Sequence, residues 1–266
     1  MYPYLFNNQS LPSYIVFIFL GVLAAFVTYR ILAFKTGISS NSFRFFGIAF
    51  VASIALGFVF ARLFQMLYNY IETGKIGTGI TFLGGLVGGV ATFFAVFALF
   101  GKGHKAELGQ TVSIAMPCIA LGHSIGRFGC FLAGCCYGKE TNAFFGIRFV
   151  EHIWASGEWI YGNARIPTQL FEALFLLLLF GGLLLIIFKL KKPELCATVY
   201  LFSYSIARFL LEFLRDDPRG AFLLGLSPSQ IICLVMFVGG IILTFFTLKN
   251  KQKRLNNPNN SNNSTL

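Results

Sequence analysis

The sequence is poor in charge: charged residues make up only 12% of its 266 residues, and only ten are acidic. A soluble domain carries about 25% charged residues. Hydrophobic residues reach 56%, and phenylalanine alone occurs 33 times. This balance excludes a soluble domain with one buried core and indicates a protein that crosses a membrane several times. The net charge of +11 lies mostly in short clusters between apolar runs, which is typical of membrane topology and does not indicate nucleic-acid binding.

Several familiar signals are also missing. The sequence has no repeat of fixed period, and no Walker or dinucleotide fingerprint in a strand–turn–helix setting. The segment "MYPYLFNNQSLPSY" lacks a basic n-region and a small-residue cleavage site, so we expect the first apolar segment to remain as an anchor. The tetrad "LAGC", ending at Cys135, matches a bacterial lipobox. It lies mid-chain behind a segment interrupted by His123 and Arg127, which argues against a lipid attachment site.

Long apolar segments dominate what is present. Each is close to the ~20 residues that a helix needs to cross a hydrocarbon core. Together they predict an all-α, polytopic membrane protein with about seven transmembrane helices. The segments run over residues 12–33, 45–69, 80–100, 110–134, 167–188, 196–214 and 227–248.

Basic residues are distributed unevenly between the two sides of this arrangement. One set of alternating connections holds 12 of the 21 Lys and Arg residues, the opposite set holds six, and the N-terminal segment holds none. The positive-inside rule therefore places the N-terminus outside and the C-terminus in the cytoplasm.

The domain organisation follows from the same pattern. Residues 1–248 form one seven-span domain. The polar connection 138–166 is rich in aromatics and too short to fold alone, so we expect a small outer-side cap on the membrane surface. The Asn-rich segment 249–266 is predicted to be a disordered cytoplasmic tail.

Three arginines lie within or near the outer ends of spans, namely Arg62, Arg127 and Arg208, and Glu172 and Glu212 accompany them. An ionisable residue inside a membrane is costly, so it usually faces the bundle interior with a partner or a task. The planar fork of arginine matches phosphate oxygens. These residues therefore predict a site for an anionic phospholipid headgroup, with snorkelling to the interface or a structural ion-pair network as open alternatives.

Two local patterns refine this prediction. Arg208, Glu212 and Arg215 recur at i, i+4 and i+7, so Arg208 and Glu212 are predicted to pair on one helical face. The run "GGLVGG", residues 84–89, is typical of helices that pack closely.

The order of these features resembles that of the prolipoprotein diacylglyceryl transferases, and the resemblance covers most of residues 12–248. It rests on "SYIVFIFLGVLAA" with Tyr14, "GFVFARLFQMLYNY" with Arg62, "TFLGGLVGG" with Gly84 and Gly85, "GRFGCFLAGCCYG" with Arg127 and Gly138, "RIPTQLFEALF" with Gln169 and Glu172, and "ARFLLEFLRD" with Arg208, Glu212 and Arg215.

This resemblance implies a seven-span enzyme of the bacterial cytoplasmic membrane. Such enzymes move a diacylglyceryl group from phosphatidylglycerol to the lipobox cysteine of a prolipoprotein. The implied partners are phosphatidylglycerol or a similar anionic phospholipid, a prolipoprotein acceptor and membrane lipids, with no nucleic acid, no cofactor and no metal. The implied catalytic residues are Arg127, Arg208 and Glu212, and the implied substrate-binding residues are Tyr14, Arg62, Gly84, Gly85, Cys130, Cys135, Gly138, Gln169 and Glu172.

The sequence departs from the family pattern at three positions. Leu83, Cys130 and Cys135 stand where the family has His, Asn and Glu. The alternative function is therefore a catalytically divergent paralogue, a lipid- or partner-binding membrane protein with a structural or redox cysteine cluster.

The cysteines of "GRFGCFLAGCCYG" admit several interpretations. Helical spacing places Cys130 and Cys135 near the face of Arg127, and it points Cys136 elsewhere. They could be small core residues, a disulfide between Cys130 and Cys135 or Cys136, a catalytic thiol, or a metal site that includes His123. Our leading hypothesis is that Cys130 and Cys135 line the substrate cavity without acting as the nucleophile.

Overall fold

The computed structural model of the chain describes residues 12–77, 79, 81–153, 159–216 and 226–256. Within these ranges the fold consists of seven α-helices and one antiparallel pair of strands. In chain order the elements are α1 (Ser13–Thr36), α2 (Ser40–Thr73), α3 (Phe82–Phe100), α4 (Lys105–Ala133), β1 (Ile147–Ile153), β2 (Trp159–Arg165), α5 (Thr168–Phe188), α6 (Cys196–Glu212) and α7 (Pro228–Asn256).

The helices confirm the prediction of an all-α, polytopic membrane protein. Six helical stretches in the described residues are long and apolar enough to cross a membrane. One of them, Gly84–Ala133, is 50 residues long and contains most of α3 and all of α4. At ~1.5 Å per residue this stretch is about two and a half times as long as a ~30 Å hydrocarbon core requires. The short 3₁₀ turn Gly101–His104 divides it, so the seven predicted segments correspond to the seven helices.

The chain forms two compact units, of which the second comprises residues 30–112. Its core is aromatic, because the fully buried Phe46 stacks against Phe93 and Phe97 with ring centroids about 6 Å apart. Helices α2 and α3 pack closely where Gly84 and Gly85 face α2: a Cβ on Gly84 would lie 2.5 Å from the Cβ of Phe64.

The first unit comprises residues 1–29 and 113–266. Helices α1 and α4 approach within backbone contact, because a Cβ on Gly21 would lie 2.6 Å from the carbonyl oxygen of Gly122. Helix α4 also contacts α5, where the buried Ser124 hydroxyl donates to the carbonyl of Ala173 at 2.9 Å. This packing brings the polar residues of α4, α5 and α6 together.

The connection predicted as a cap contains the strand pair. Ile147 pairs with Arg165 and Ile153 with Trp159. Phe149, on β1, is 1% exposed and packs against the rings of Phe131 and Tyr137. The strand pair therefore packs against the end of α4. In the predicted tail, α7 continues as helix to Asn256, and residues 257–266 lie outside the described part.

Candidate active site

The centre of the polar cluster is the carboxylate of Glu172 on α5, whose side chain is only 3% exposed. Its Oε1 accepts a hydrogen bond from Arg127 Nη2 at 3.0 Å and another from the Tyr204 hydroxyl at 3.0 Å. His123 Nε2 and Arg208 Nε lie 3.6 and 3.9 Å from the same oxygen. One buried carboxylate thus holds groups from α4 and α6.

The network continues along the C-terminal end of α6, on the helical face predicted to carry Arg208, Glu212 and Arg215. Arg208 Nη2 lies 2.7 Å from Glu212 Oε2, which confirms the predicted pairing of these residues. Arg215 Nε is 3.8 Å from the same carboxylate oxygen. Two serines complete this side: Ser227 donates to Glu212 Oε1 at 2.7 Å, and Arg208 Nη2 donates to Ser229 Oγ at 3.2 Å.

The network carries more positive than negative charge. It joins the guanidinium groups of Arg127, Arg208 and Arg215 to the carboxylates of Glu172 and Glu212. The formal balance is therefore one positive charge. Arg127 Nε and Arg208 Nη1 are buried and make no hydrogen bond within the described part of the chain. Such donors match the oxygens of a phosphate or another anion.

Three cysteines meet beside this network, where α4 ends. The helix stops at Ala133, and Gly134 (φ 71°) and Cys136 (φ 69°) both adopt left-handed backbone conformations that fold the chain back. The Sγ atoms of Cys130, Cys135 and Cys136 all lie within 4.8 Å of one another. Cys130 is buried, Cys136 is half-buried and Cys135 is exposed.

The start of α5 fixes this turn. Gln169 Nε2 donates to the carbonyl of Cys135 at 2.7 Å, and Thr168 Oγ1 donates to the carbonyl of Cys136 at 2.9 Å. Thiol hydrogen bonds from Cys130 and Cys135, together with the nearby Arg215 guanidinium, hold the pKa of Cys136 below its usual range against the opposing effect of burial. The thiol cluster is therefore connected directly to the arginine network.

Gly138 joins the chain after the cluster to the end of α6. Its N–H donates to the carbonyl of Ile166 at 2.8 Å, and the N–H of Lys139 donates to that of Leu214, also at 2.8 Å. A Cβ on Gly138 would lie 2.5 Å from the Leu214 carbonyl oxygen. The close backbone approach, which brings Arg215 beside the cysteines, therefore requires glycine.

Comparison with known proteins agrees with this architecture. The family model described as prolipoprotein diacylglyceryl transferase matches residues 3–246. The chain belongs to the prolipoprotein diacylglyceryl transferase family.

Individual members of the family are similar over large parts of the chain. A protein of Clostridium perfringens named phosphatidylglycerol–prolipoprotein diacylglyceryl transferase 2 is 41% identical over 170 residues, which are 63% of this chain and 62% of the relative. A phosphatidylglycerol–prolipoprotein diacylglyceryl transferase of Clostridium tetani is 32% identical over 252 residues, 91% of this chain and 96% of the relative. A Dehalococcoides mccartyi protein with that name is 31% identical over 214 residues, 77% and 78% of the two chains.

The structure brings most of the predicted site residues together in the first unit. Arg127, Glu172, Arg208 and Glu212 form the ion-pair network. Cys130, Cys135, Gly138 and Gln169 form or support the turn that follows α4. Tyr14, on α1, lies beside the end of α4 that carries Cys130, because a Cβ on Gly129 would lie 3.5 Å from the Tyr14 carbonyl oxygen.

Three predicted residues belong to the second unit. Arg62 Nη1 donates to the carbonyl of Gly79 at 3.0 Å, and Gly84 and Gly85 lie at the packing contact between α2 and α3. The side chain of Leu83, which replaces the family histidine, lies outside the described part of the structure.

Sequence reasoning missed Tyr204, Ser227 and Ser229, which hold the charged groups of the network. Tyr204 precedes Arg208 by one helical turn, so the spacing of α6 could have identified it. The expectation that Cys136 points away was wrong: it assumed that the helix continues past Ala133, whereas Gly134 ends it.

The structure also narrows the interpretations of the cysteines. None of the six cysteines, all of which lie in the described residues, forms a disulfide, so the disulfide considered for Cys130 is not formed here. His123 contacts Glu172 and the ring of Tyr204. The candidate metal-binding group in the described residues consists of the three cysteines without this histidine.

Proposed function

We propose that this chain is a phospholipid-dependent transferase that moves the diacylglyceryl group of phosphatidylglycerol to a cysteine thiol of a prolipoprotein or a related acceptor. The observation that carries the proposal is the buried network of Arg127, Glu172, Arg208, Glu212 and Arg215, which has one excess positive charge and, on Arg127 and Arg208, guanidinium N–H groups without a hydrogen bond in the described residues. Family membership and the names of its relatives support the same reaction.

In this proposal Arg127 and Arg208 bind the phosphate of the donor lipid. Glu172 and Glu212 hold the two guanidinium groups in fixed orientations, so little reorganisation is needed when the lipid binds. Gln169 and Gly138 position the turn that follows α4. Tyr14, Arg62, Gly84, Gly85, Cys130 and Cys135 are proposed as further substrate contacts from their motif positions.

The reaction is a substitution at carbon. The thiolate of the acceptor attacks the glyceryl carbon that carries the phosphate ester, the carbon–oxygen bond breaks, and glycerol phosphate leaves with the bonding electrons. Negative charge therefore develops on the phosphate side. Arg127 and Arg208 would stabilise that charge in a site with little water.

The surroundings of the network suit a membrane lipid. An open apolar groove of about 230 Å³ lies between α6 and α7, and its lining includes Ser205 and Phe209, which flank Arg208 along α6. We assign it to an acyl chain of the donor. Its lining residues are Ser205, Ile206, Phe209, Leu210, Cys233, Leu234 and Phe237.

The proposed orientation in the bacterial cytoplasmic membrane is N-terminus outside and C-terminus in the cytoplasm. It rests on the 12-to-6 distribution of basic residues, and it places the arginine network at the outer surface.

The test is complementation of bacteria depleted of their own diacylglyceryl transferase, with lipid transfer to a prolipoprotein measured directly. We expect the unaltered chain to restore transfer and Arg127→Ala and Arg208→Ala to abolish it. The corresponding lysine variants should lose about 100-fold in rate, because lysine lacks the bidentate fork. Arg44→Ala is the matched control, since Arg44 is exposed on α2 and, in the described part of the chain, hydrogen-bonds to Ser40 and Asn41 of its own helix turn.

Two results would contradict this proposal. Full transfer by both alanine variants would remove the arginines from the reaction. Binding of phosphatidylglycerol without any transfer by the unaltered chain would instead favour the lipid-binding paralogue.

A further inference from the structure

The thiol cluster at the end of α4 has the composition and spacing of a metal site. In the structure the three Sγ atoms lie within 4.8 Å of one another. Tetrahedral zinc with Zn–S bonds of about 2.3 Å separates its sulfur ligands by about 3.8 Å. Small rotations of the side chains would therefore bring all three sulfurs to one ion.

We propose that Cys130, Cys135 and Cys136 bind one zinc ion, and that its fourth coordination position takes the thiol of the acceptor cysteine. Three protein ligands with one open position are typical of catalytic zinc sites, whereas structural sites are closed by four. Soft thiolate ligands favour zinc or monovalent copper over magnesium and calcium. This replaces the expectation, taken from the family resemblance, that the protein holds no metal.

The surroundings fit this ion. Zinc with three thiolates carries one net negative charge, and the neighbouring arginine network carries one net positive charge. Arg215 hydrogen-bonds to the Cys136 sulfur and would orient it, as groups outside the ligand set commonly do. Gln169 and Thr168 hold the backbone of Cys135 and Cys136 from α5.

The acceptor thiol can reach the open coordination position, and binding there would have a chemical effect. Cys135 is exposed while Cys130 is buried, so the cluster can be reached from one side. A thiol that coordinates zinc is deprotonated outright. The ion would therefore supply the acceptor thiolate beside the arginines that hold the donor phosphate.

The role in transfer rests on the proposed function. The acceptor thiol binds zinc and releases its proton to solvent. Its sulfur then attacks the glyceryl carbon, the carbon–oxygen bond breaks, and glycerol phosphate leaves with the electron pair. The product is a neutral thioether, a weaker ligand, so it leaves the ion and the site is free for the next acceptor.

The first test is the metal content of the purified full-length protein. We expect about one zinc ion per chain, and none above background when Cys130, Cys135 and Cys136 are all changed to serine. Cys118→Ala is the matched control, because Cys118 is buried elsewhere in α4 and bonds to the carbonyl of Ile114. Chromatographic and thermal profiles of both variants show whether each is folded. Zinc-free protein with reduced thiols that rebinds none, or a native disulfide in the cluster, would overturn the proposal.

The second test examines the open position without turnover. Cobalt(II) replaces zinc in the purified protein, and a lipobox peptide with cysteine is added in the absence of phosphatidylglycerol. We expect the sulfur-to-cobalt absorption to increase, with no change for the peptide with serine. An unchanged spectrum with both peptides would exclude acceptor binding at the metal.

The two proposals fail in different ways. If the cobalt spectrum responds to the cysteine peptide but no lipid is transferred, the metal site stands and the proposed function is wrong. If transfer proceeds at full rate in the folded triple serine variant, the transferase stands and the role of zinc is wrong.

Discussion

At the scale of single residues, Glu172 organises the site. Its Oε1 lies within 3.0 Å of both Arg127 and Tyr204, and it also faces His123 and Arg208. Removing one member of a buried ion pair costs about 3–5 kcal/mol, because the remaining charge is left without compensation. Removing a neutral donor from a carboxylate costs less, about 1.5–3 kcal/mol. Losing the ion pairs of Glu172 should therefore cost more stability than losing its hydrogen bond with Tyr204.

This difference is testable with two substitutions of nearly unchanged shape. Glu172→Gln should lower the unfolding temperature of the purified protein far more than Tyr204→Phe, and it should abolish transfer. Tyr204→Phe should retain transfer, reduced by about tenfold, which corresponds to the loss of about one hydrogen bond. Thermal unfolding in detergent and the transfer assay measure both effects. Equal unfolding temperatures for the two variants would show that Glu172 does not hold the network together.

At the scale of elements, the end of α4 decides the geometry of the site. The sequence predicts the helices well, because a long apolar segment in a membrane must satisfy its backbone hydrogen bonds internally, as a helix does. It predicts Arg208 with Glu212 equally well, since both lie within one helix. It fails at Cys136, whose position depends on the stop at Gly134 and on contacts from Thr168 and Gln169. Contacts between distant parts of the chain do not follow from helical periodicity.

A substitution at Gly138 tests whether the chain after α4 sets the geometry of the site. In Gly138→Ala the new Cβ meets the carbonyl oxygen of Leu214 at 2.5 Å and the side chains of Ile166 and Thr168 at 2.9 Å. Overpacking of this kind costs about 1–3 kcal/mol. We expect lower thermal stability and at least a tenfold loss of transfer, because the cysteines and Arg215 move apart.

Gly181→Ala is the matched control for this substitution. Gly181 lies inside α5, and its Cβ would meet nothing within 4 Å. Wild-type stability and transfer are therefore expected. If Gly138→Ala behaved like this control, close backbone approach at Gly138 would not be required.

At the scale of the whole molecule, the chain is organised around two compact units. Six helical stretches can cross a membrane, and one of them contains two successive helices. The presence of several membrane-crossing helices could be predicted from hydropathy. The division into units could not, because the first unit combines residues 1–29 with residues 113–266, and no local pattern in the sequence links them.

The predicted orientation is tested by fusions at the C-terminus. A green fluorescent protein fused after Leu266 should fluoresce, and an alkaline phosphatase at the same place should be inactive, because the proposed orientation places the tail in the cytoplasm. Fusions after the 138–166 connection serve as the internal control and should give the opposite pair of signals. Active phosphatase at the C-terminus would reverse the orientation and place the arginine network on the cytoplasmic side.

The ion pair between Arg127 and Glu172 also has a consequence for biogenesis. The two residues are 45 positions apart, so at about 5–20 residues per second the ribosome adds Glu172 several seconds after Arg127. An arginine costs up to about 2.5–3.5 kcal/mol on insertion at the centre of a membrane helix and less near an end, where Arg127 lies in α4. Helix α4 therefore gains its neutralising partner only when α5 emerges. The two helices should leave the translocon as a pair, and a nascent chain stalled between them would be a target for membrane quality control.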